Sequence, residues 1–186
     1  MLFNDHSKIA GQHAFLSASQ YHWIRYSEDK LLRAWHRDQA AKRGVALHSY
    51  AQMAIALGQK QADTGQTLNS YINDAIGFQM VPEQVLYVSP NAFGTADAIG
   101  FKRSFLRIHD LKTGEVQSSM DQLYVYAAFF CLEYRFKPFE IEGELRIYQN
   151  DDIEKTEMEP DKVLHIMDKI TTFDPIIEKS RREAGR

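Results

Sequence analysis

Three short segments between residues 83 and 112 constrain the fold of this chain more than any other feature. They read EQVLYVS, GTADAIGF and SFLRIHDLK, are rich in β-branched and aromatic residues, and are separated by Ser-Pro-Asn and Lys-Arg-Ser. Segments of this length and composition, bounded by turn-forming residues, predict three consecutive strands in a meander. Helical patterns lie on both sides of these segments, and the combination predicts a mixed α/β domain.

The helical patterns define the rest of the expected fold. Before the strands, apolar residues recur at helical spacing in LSASQYHWIRYSEDKLLRAW, which begins near Ser17 or Ser19, in VALHSYAQMAIALGQ, which stops near Gly58, and in TLNSYINDAIGF. After the strands, SSMDQLYVYAAFFCLEYRF predicts a helix, IEGELRIY a fourth strand, and the residues from about Asp161 a last helix interrupted at Pro175. We therefore expect one domain over residues 1–186, with a central mixed sheet of about four strands flanked by helices and extra helices at both ends.

Composition limits the class of protein. The chain has 186 residues, 44% of them hydrophobic and 25% charged, which suits a globular domain with a core of its own. The single Cys131 excludes an iron–sulfur cluster or zinc site built from several cysteines. No apolar run reaches the length of a membrane span and no signal-peptide pattern opens the chain, so we expect a cytoplasmic protein without a membrane partner.

Charge is unevenly distributed along the chain. The formal net charge is −3, yet residues 22–44 contain six Lys and Arg against three Asp and Glu. A locally basic segment fits a polyanionic partner such as DNA, and it equally fits a solvated helix face. Both interpretations stay open from composition alone.

The third predicted strand ends in charged residues. On a strand, alternate side chains share a face, so Leu106, Ile108, Asp110 and Lys112 lie together, opposite His109, which we interpret as structural. By the same rule the preceding strand presents one face made of Thr95, Asp97, Ile99 and Phe101.

Asp97 and Asp110 form a candidate cation site. Asp97 stands between Ala96 and Ala98 in a run suited to burial, where an unpaired acid is costly. Two carboxylates on adjacent strands, with Lys112 beside them, form a hard-oxygen site suited to Mg²⁺ or Mn²⁺.

GTADAIGF followed by HDLKTG resembles the PD-(D/E)XK nucleases, in which an Asp on one strand is followed by an acid-x-Lys on the next. Within that superfamily the chain is similar to the RecB-like branch, including stand-alone phage nucleases. That branch adds Gln-x-x-x-Tyr on the following helix, matched by Gln122 and Tyr126, and Gly-x-x-x-His on an upstream helix, matched by Gly44 and His48. The resemblance implies a restriction-endonuclease-like core at about residues 44–148, an N-terminal helical extension over 1–43 and a C-terminal helical tail over 151–186.

The resemblance also implies a ligand set for the cation. His48, Asp97 and Asp110 would bind it, together with the backbone carbonyl of Leu111, whose side chain points away. Gln52 stands where many relatives carry an acid. Glu83, just before the first strand, also stands where relatives often carry an acid, and we interpret it as a solvated residue at the strand start.

Three further residues take roles around the substrate under the same resemblance. Lys112 would position or activate the attacking water and offset charge on the scissile phosphate. Gln122 would orient Lys112 or the DNA, and Tyr126 would lie near the substrate backbone.

These implications predict a Mg²⁺- or Mn²⁺-dependent deoxyribonuclease, expected to be an exonuclease in phage or bacterial DNA recombination or processing. The chain has no Gly-x-x-x-x-Gly-Lys-[Ser/Thr] phosphate loop, so a helicase or other recombination factor would be a separate partner protein. A homo-oligomeric ring would explain processivity. Two alternatives remain, namely a catalytically inactive nuclease-fold module that binds DNA or protein, and an unrelated metal-dependent hydrolase of small phosphorylated substrates.

Overall fold

The computed structural model describes residues 4–5, 7–9, 11–114 and 116–184. The chain divides into two compact units, Met1–Arg43 and Gly44–Arg186. The helices are α1 (Glu28–Ala56), α2 (Thr67–Gly77), α3 (Asp121–Tyr134) and α4 (Pro160–Ala184), with short 3₁₀ helices at Ser7–Ile9, Tyr21–Arg25 and Pro138–Glu140. The strands are β1 (Val81–Ser89), β2 (Ala92–Lys102), β3 (Phe105–Leu111), β4 (Glu142–Gln149) and β5 (Asp152–Glu157). None of the helices in the described ranges has the length and apolar character needed to cross a membrane.

The strands form one mixed sheet in the order β1-β2-β3-β4-β5. Neighbouring pairs are antiparallel except β3 and β4, which are parallel and joined through α3. The sheet has five strands where the sequence predicted about four. The fifth strand, β5, is an edge strand of sequence DIEKTE whose residues are mostly exposed, so it shows no apolar alternation and pairs through its backbone.

Two hydrophobic cores lie on opposite faces of the sheet. One contains buried residues of α3 and the start of α4 packed on the central strands, including Leu106, Ile108, Leu123, Ala127 and Val163. The other contains residues from the end of α1 and from α2, including Ala51, Ile55, Ile72, Ala75 and Leu111. The domain is therefore an α/β fold with a five-stranded mixed sheet flanked by helices.

The first unit has its own local contacts. The indole of Trp23 donates to the carbonyl of Ser17 at 2.9 Å, and Phe15 meets Trp35 edge to face with ring centroids 5.1 Å apart. The sequence predicted a helix from Ser17 or Ser19, but α1 begins only at Glu28, after Ser27, whose hydroxyl accepts the Lys30 N–H. Upstream of Ser27, the segment with helical spacing forms only the short 3₁₀ helix Tyr21–Arg25.

Two predicted interruptions of helices are wrong. The first two predicted helices, one ending at Trp35 and the next beginning at Val45, are not separate, because α1 runs through Gly44, which is buried. Pro175 likewise lies inside α4, which continues to Ala184. Proline removes one helical hydrogen bond and glycine costs roughly 1 kcal/mol, and the rest of each helix outweighs these local penalties.

Gly44 allows α1 to approach the loop after β3. A Cβ added at this position would lie 2.7 Å from Oγ1 of Thr113, closer than non-bonded atoms approach each other. His48 follows one helical turn later, so this close approach brings that turn of α1 toward the end of β3.

We predict that Gly44→Ala lowers the free energy of unfolding. The clash costs roughly 1–3 kcal/mol, which outweighs the gain of about 1 kcal/mol in helix propensity. Thr113→Ala removes the obstructing hydroxyl and should restore stability in the double variant. Urea unfolding measures each effect, with Gly77→Ala as the matched control, since a Cβ there meets nothing within 4 Å. Equal stabilisation by both alanines would show that Gly44 is not constrained.

Candidate metal centre

Three side chains from three elements converge at one end of the sheet. His48 of α1, Glu83 of β1 and Asp97 of β2 each offer one ligand atom, and these atoms all lie within 4.8 Å of one another. Nδ1 of His48 is 3.6 Å from Oδ2 of Asp97. Two carboxylates and an imidazole, all partly buried, form a donor set that can hold a divalent cation.

The backbone at Glu83 has an unusual conformation for a strand. Its φ is +50°, in the left-handed region that residues with a side chain rarely adopt. Pro82 pairs with Ala98 and Gln84 with Ala96, so Glu83 stands opposite Asp97 where the regular ladder is interrupted. Strain of this kind costs on the order of 1–3 kcal/mol and concentrates at functional sites. In this protein the strained backbone occurs at Glu83, the residue of β1 whose side chain reaches Asp97.

Because of the same irregularity, the face that the sequence predicted for β2 is wrong. Ala96 and Ile99 both join the core beneath α3, whereas Ala98 joins the core beneath α2. Side-chain alternation is therefore broken at Asp97, because the pleat is not regular opposite Glu83. The sequence assumed strict alternation and placed four residues on one face, namely Thr95, Asp97, Ile99 and Phe101.

Asp110 is a buried carboxylate at the end of β3, with 1% of its surface exposed. Nζ of Lys112 donates to its Oδ1 at 3.2 Å. Oδ2 is 2.9 Å from the same nitrogen, but among the described residues no donor meets it with hydrogen-bond geometry. A buried carboxylate oxygen without a hydrogen bond is expensive unless a cation compensates it.

Burial also changes the acidity of both strand carboxyls. Burial, and after it the charge of Asp110, raises the pKa of Asp97 to about 6, while the N–H of Leu111 acts in the opposite direction. Burial raises the pKa of Asp110 as well, against the lowering effect of Lys112. At both carboxyls, burial disfavours the ionised form more than the neighbouring groups favour it. A bound divalent cation would favour the ionised form of both.

A chain of hydrogen bonds leads from Asp110 to α3. Nζ of Lys112 donates to Oε1 of Gln122 at 2.8 Å, and Nε2 of Gln122 donates to the hydroxyl of Tyr126 at 3.1 Å. Gln122 and Tyr126 meet because residues four apart share a helix face. Gly94 of β2 makes room for the Tyr126 ring, since a Cβ there would lie 3.0 Å from it.

The other two residues of β3 that the sequence analysis considered, Leu111 and His109, have different partners. Leu111 meets Asp97 through its N–H, which donates to Oδ2 at 2.8 Å, and its side chain is buried in the core beneath α2. His109 faces away from Asp110, as expected, with Nδ1 3.2 Å from the Tyr148 hydroxyl and its ring against Phe78. Burial lowers the pKa of His109 to about 3, so this imidazole is neutral and structural.

Sequence reasoning missed two contributors. Glu83 was interpreted as a solvated strand residue, but it belongs to the cluster with His48 and Asp97. Gln149 of β4 holds the loop after Lys112, because its amide donates to the carbonyls of Gly114 and Val116 and accepts the Ser118 N–H. The signal for Glu83 was its position just before the first strand, where the family that the sequence resembles often carries an acid, whereas no local pattern indicates Gln149.

Comparison with known proteins adds no relative to this picture. No family model, no curated protein and no solved structure matches the chain.

We predict that Glu83 contributes to metal binding at a cost in stability. Glu83→Asn and Glu83→Gln both remove the carboxylate and should weaken Mn²⁺ binding measured by calorimetry. Only asparagine tolerates the left-handed backbone well, so in chelator Glu83→Asn should be more stable than Glu83→Gln by roughly 1 kcal/mol. Unchanged Mn²⁺ affinity in both variants would remove Glu83 from the ligand set.

We also predict that the free energy of unfolding of the metal-free protein decreases as the pH rises from about 4 to about 6. The pKa of Asp97 rises from 3.8 to about 6 on folding, so the native state binds more protons than the unfolded state in that window. The contribution of Asp97 to the free energy of unfolding therefore falls as pH rises from about 4 to about 6. Urea unfolding in chelator measures it, and Asp97→Asn should flatten the profile. The opposite slope, removed by the same substitution, would contradict the assigned environment.

Proposed function

We propose that this chain is a Mg²⁺- or Mn²⁺-dependent deoxyribonuclease of the PD-(D/E)XK superfamily, similar to its RecB-like, phage-type exonucleases. The observation that carries the proposal is the hydrogen-bonded series Asp110–Lys112–Gln122–Tyr126 beside the cluster of His48, Glu83 and Asp97. Acid-x-Lys lies at the end of β3 and Gln-x-x-x-Tyr on α3, whereas the cluster draws its residues from α1, β1 and β2. A phosphodiesterase site requires that groups of these kinds lie close together.

The geometry of Lys112 supports a role at the reacting phosphate. An ammonium group has three N–H donors and no acceptor. Asp110 and Gln122 take two of these donors, and the side chain remains 27% exposed. The third donor is available to orient a water molecule or a phosphate oxygen. Because an ammonium only donates, Lys112 stabilises negative charge that develops on the phosphate.

The buried carboxylates complement this arrangement. Asp110 holds Lys112 in place by an ion pair, and its Oδ2, which accepts no hydrogen bond from a described residue, would bind the cation together with His48, Glu83 and Asp97. A bound Mg²⁺ or Mn²⁺ would supply positive charge that polarises a phosphoryl oxygen and favours the ionisation of water. Carboxylate oxygens favour these hard cations, and the imidazole makes Mn²⁺ a suitable alternative.

The proposed reaction is hydrolysis of a phosphodiester. A hydroxyl from water adds to phosphorus, the P–O bond to the leaving oxygen breaks, and the remaining proton of the water ends on that oxygen. The products are a phosphate monoester and a free hydroxyl. The preference for exonucleolytic cleavage, a role in phage or bacterial DNA recombination or processing and the cooperation with a separate helicase or recombination protein follow from the resemblance.

The test is a cleavage assay with linear and covalently closed circular DNA, single- and double-stranded, in Mg²⁺, Mn²⁺ or EDTA. Metal-dependent loss of linear DNA alone is the expected result. Nicking of circles would indicate an endonuclease instead. No degradation of any substrate in either metal would favour a nuclease-fold module that binds without cleaving.

We predict that Lys112→Ala reduces kcat by roughly 10²- to 10³-fold, as the loss of one donor to developing charge does elsewhere. Mn²⁺ affinity should remain, because Lys112 is no ligand. Asp110→Ala should lose both cleavage and metal affinity. Lys60→Ala and Asp168→Ala, which replace exposed residues, are matched controls. Wild-type cleavage by Asp110→Ala, or loss of metal binding in Lys112→Ala, would refute these roles.

A further inference from the structure

We propose that Lys30, Arg33 and Arg37 on α1 form a docking surface for the phosphate backbone of DNA, named here the basic stripe. The inference rests on the proposed function, since it assigns a second contact to the same polymeric substrate. It concerns residues of the first compact unit only.

The three side chains share one face of the helix. Their spacing of three and four residues places them on successive turns of α1, and all three are exposed. Arg37 follows Lys30 by seven positions, which corresponds to a rise of about 10 Å along the helix. Each strand of a DNA duplex carries one phosphate per about 3.4 Å of duplex axis. Aligned with that axis, the basic stripe covers the rise of about three consecutive phosphates.

The charges of the basic stripe are uncompensated within the described part of the chain. Lys30 lies over the ring of Tyr26 at 4.4 Å, a contact that leaves its charge intact. No carboxylate of a described residue forms an ion pair with Lys30, Arg33 or Arg37. By contrast, Lys42 on the same helix pairs with Asp38 at 2.9 Å. Guanidinium groups held on a helix without a carboxylate partner are well suited to phosphate.

The overall charge distribution favours a polyanion at this unit. Residues 1–43 contain seven Lys and Arg against four Asp and Glu, a formal charge of +3 in a chain whose total is −3. The remaining residues are therefore acidic and repel DNA except where a cation intervenes. A local positive surface on α1 supplies sequence-independent affinity of the kind that a nuclease acting on any sequence needs.

Salt dependence of DNA binding tests the basic stripe directly. A fluorescein-labelled 30-base-pair duplex is titrated with protein in EDTA, so that no cleavage occurs, over a range of KCl concentrations. Each lost phosphate contact should reduce the slope of log Kobs against log salt by about 0.9. The double variant Arg33→Gln/Arg37→Gln should therefore lose about 1.8 from the slope, equally for unrelated sequences.

A second double variant controls for net charge. Lys179→Gln/Arg182→Gln removes the same two charges from exposed positions on α4 and should leave the slope near that of the wild type. Equal losses in both variants, or an unchanged slope in the Arg33/Arg37 variant, would overturn the proposal. Binding of the wild type to phosphatidylserine vesicles, abolished in the Arg33/Arg37 variant while the DNA slope stays constant, would assign the stripe to a membrane surface and also overturn it.

Hydrolysis of bis(p-nitrophenyl) phosphate in Mn²⁺ separates this proposal from the proposed function. The ester reports on the metal centre and is too small to span a helix face, so the Arg33/Arg37 variant should hydrolyse it at the wild-type rate. If the wild type cleaves neither this ester nor DNA, the proposed function fails, and the salt slope still decides whether α1 docks DNA. A loss of ester hydrolysis in the Arg33/Arg37 variant would show that the substitutions disturb the fold or the centre, and would contradict the stripe's separate role.

Discussion

The charge of one buried carboxylate, Asp110, must be compensated, and the arrangement around the candidate metal centre depends on that requirement. Asp110 lies near the end of β3, which runs out of an apolar core, and only 1% of its surface is exposed. Lys112 compensates the charge in part, with Nζ 3.2 Å from Oδ1 and 2.9 Å from Oδ2, and its ammonium is held in turn by Gln122. Oδ2 accepts no hydrogen bond from a described residue, so a divalent cation bound here would share this carboxylate with the lysine.

The second physical feature is the interrupted ladder between β1 and β2. A left-handed residue in a strand is unfavourable, and two acids opposite each other repel. Both penalties occur at Glu83 and Asp97, where φ is +50° and burial holds the pKa of Asp97 at about 6. A stability optimum would avoid this combination. Both penalties fall on members of the cluster, which is the pattern expected where binding of a ligand offsets the energetic cost of the metal-free site.

The sequence was most informative where local pattern and burial agree. The strands β1 to β4, the helix α3 and the orientation of Asp110 against His109 all follow from alternation and helical spacing. The edge strand β5 did not, because its charged residues pair through the backbone alone. The breaks expected at Gly44 and Pro175 were also wrong, since a residue's intrinsic preference is smaller than the energy of the helix in which it lies.

Residue types and spacings alone determined that this chain is an α/β domain with Asp97, Asp110 and Lys112 as candidates for a cation site, whereas Gln122 and Tyr126 became candidates only through the resemblance to a nuclease family. The first set of inferences needs only periodicities that span a few residues. The tertiary structure decided that Glu83 joins His48 and Asp97, and that Gln149 supports the loop after Lys112. These contacts join positions 14 to 49 residues apart, and those of Glu83 also depend on a break in the pleat. Such a break changes which face a side chain occupies, and no local pattern in the sequence marks it.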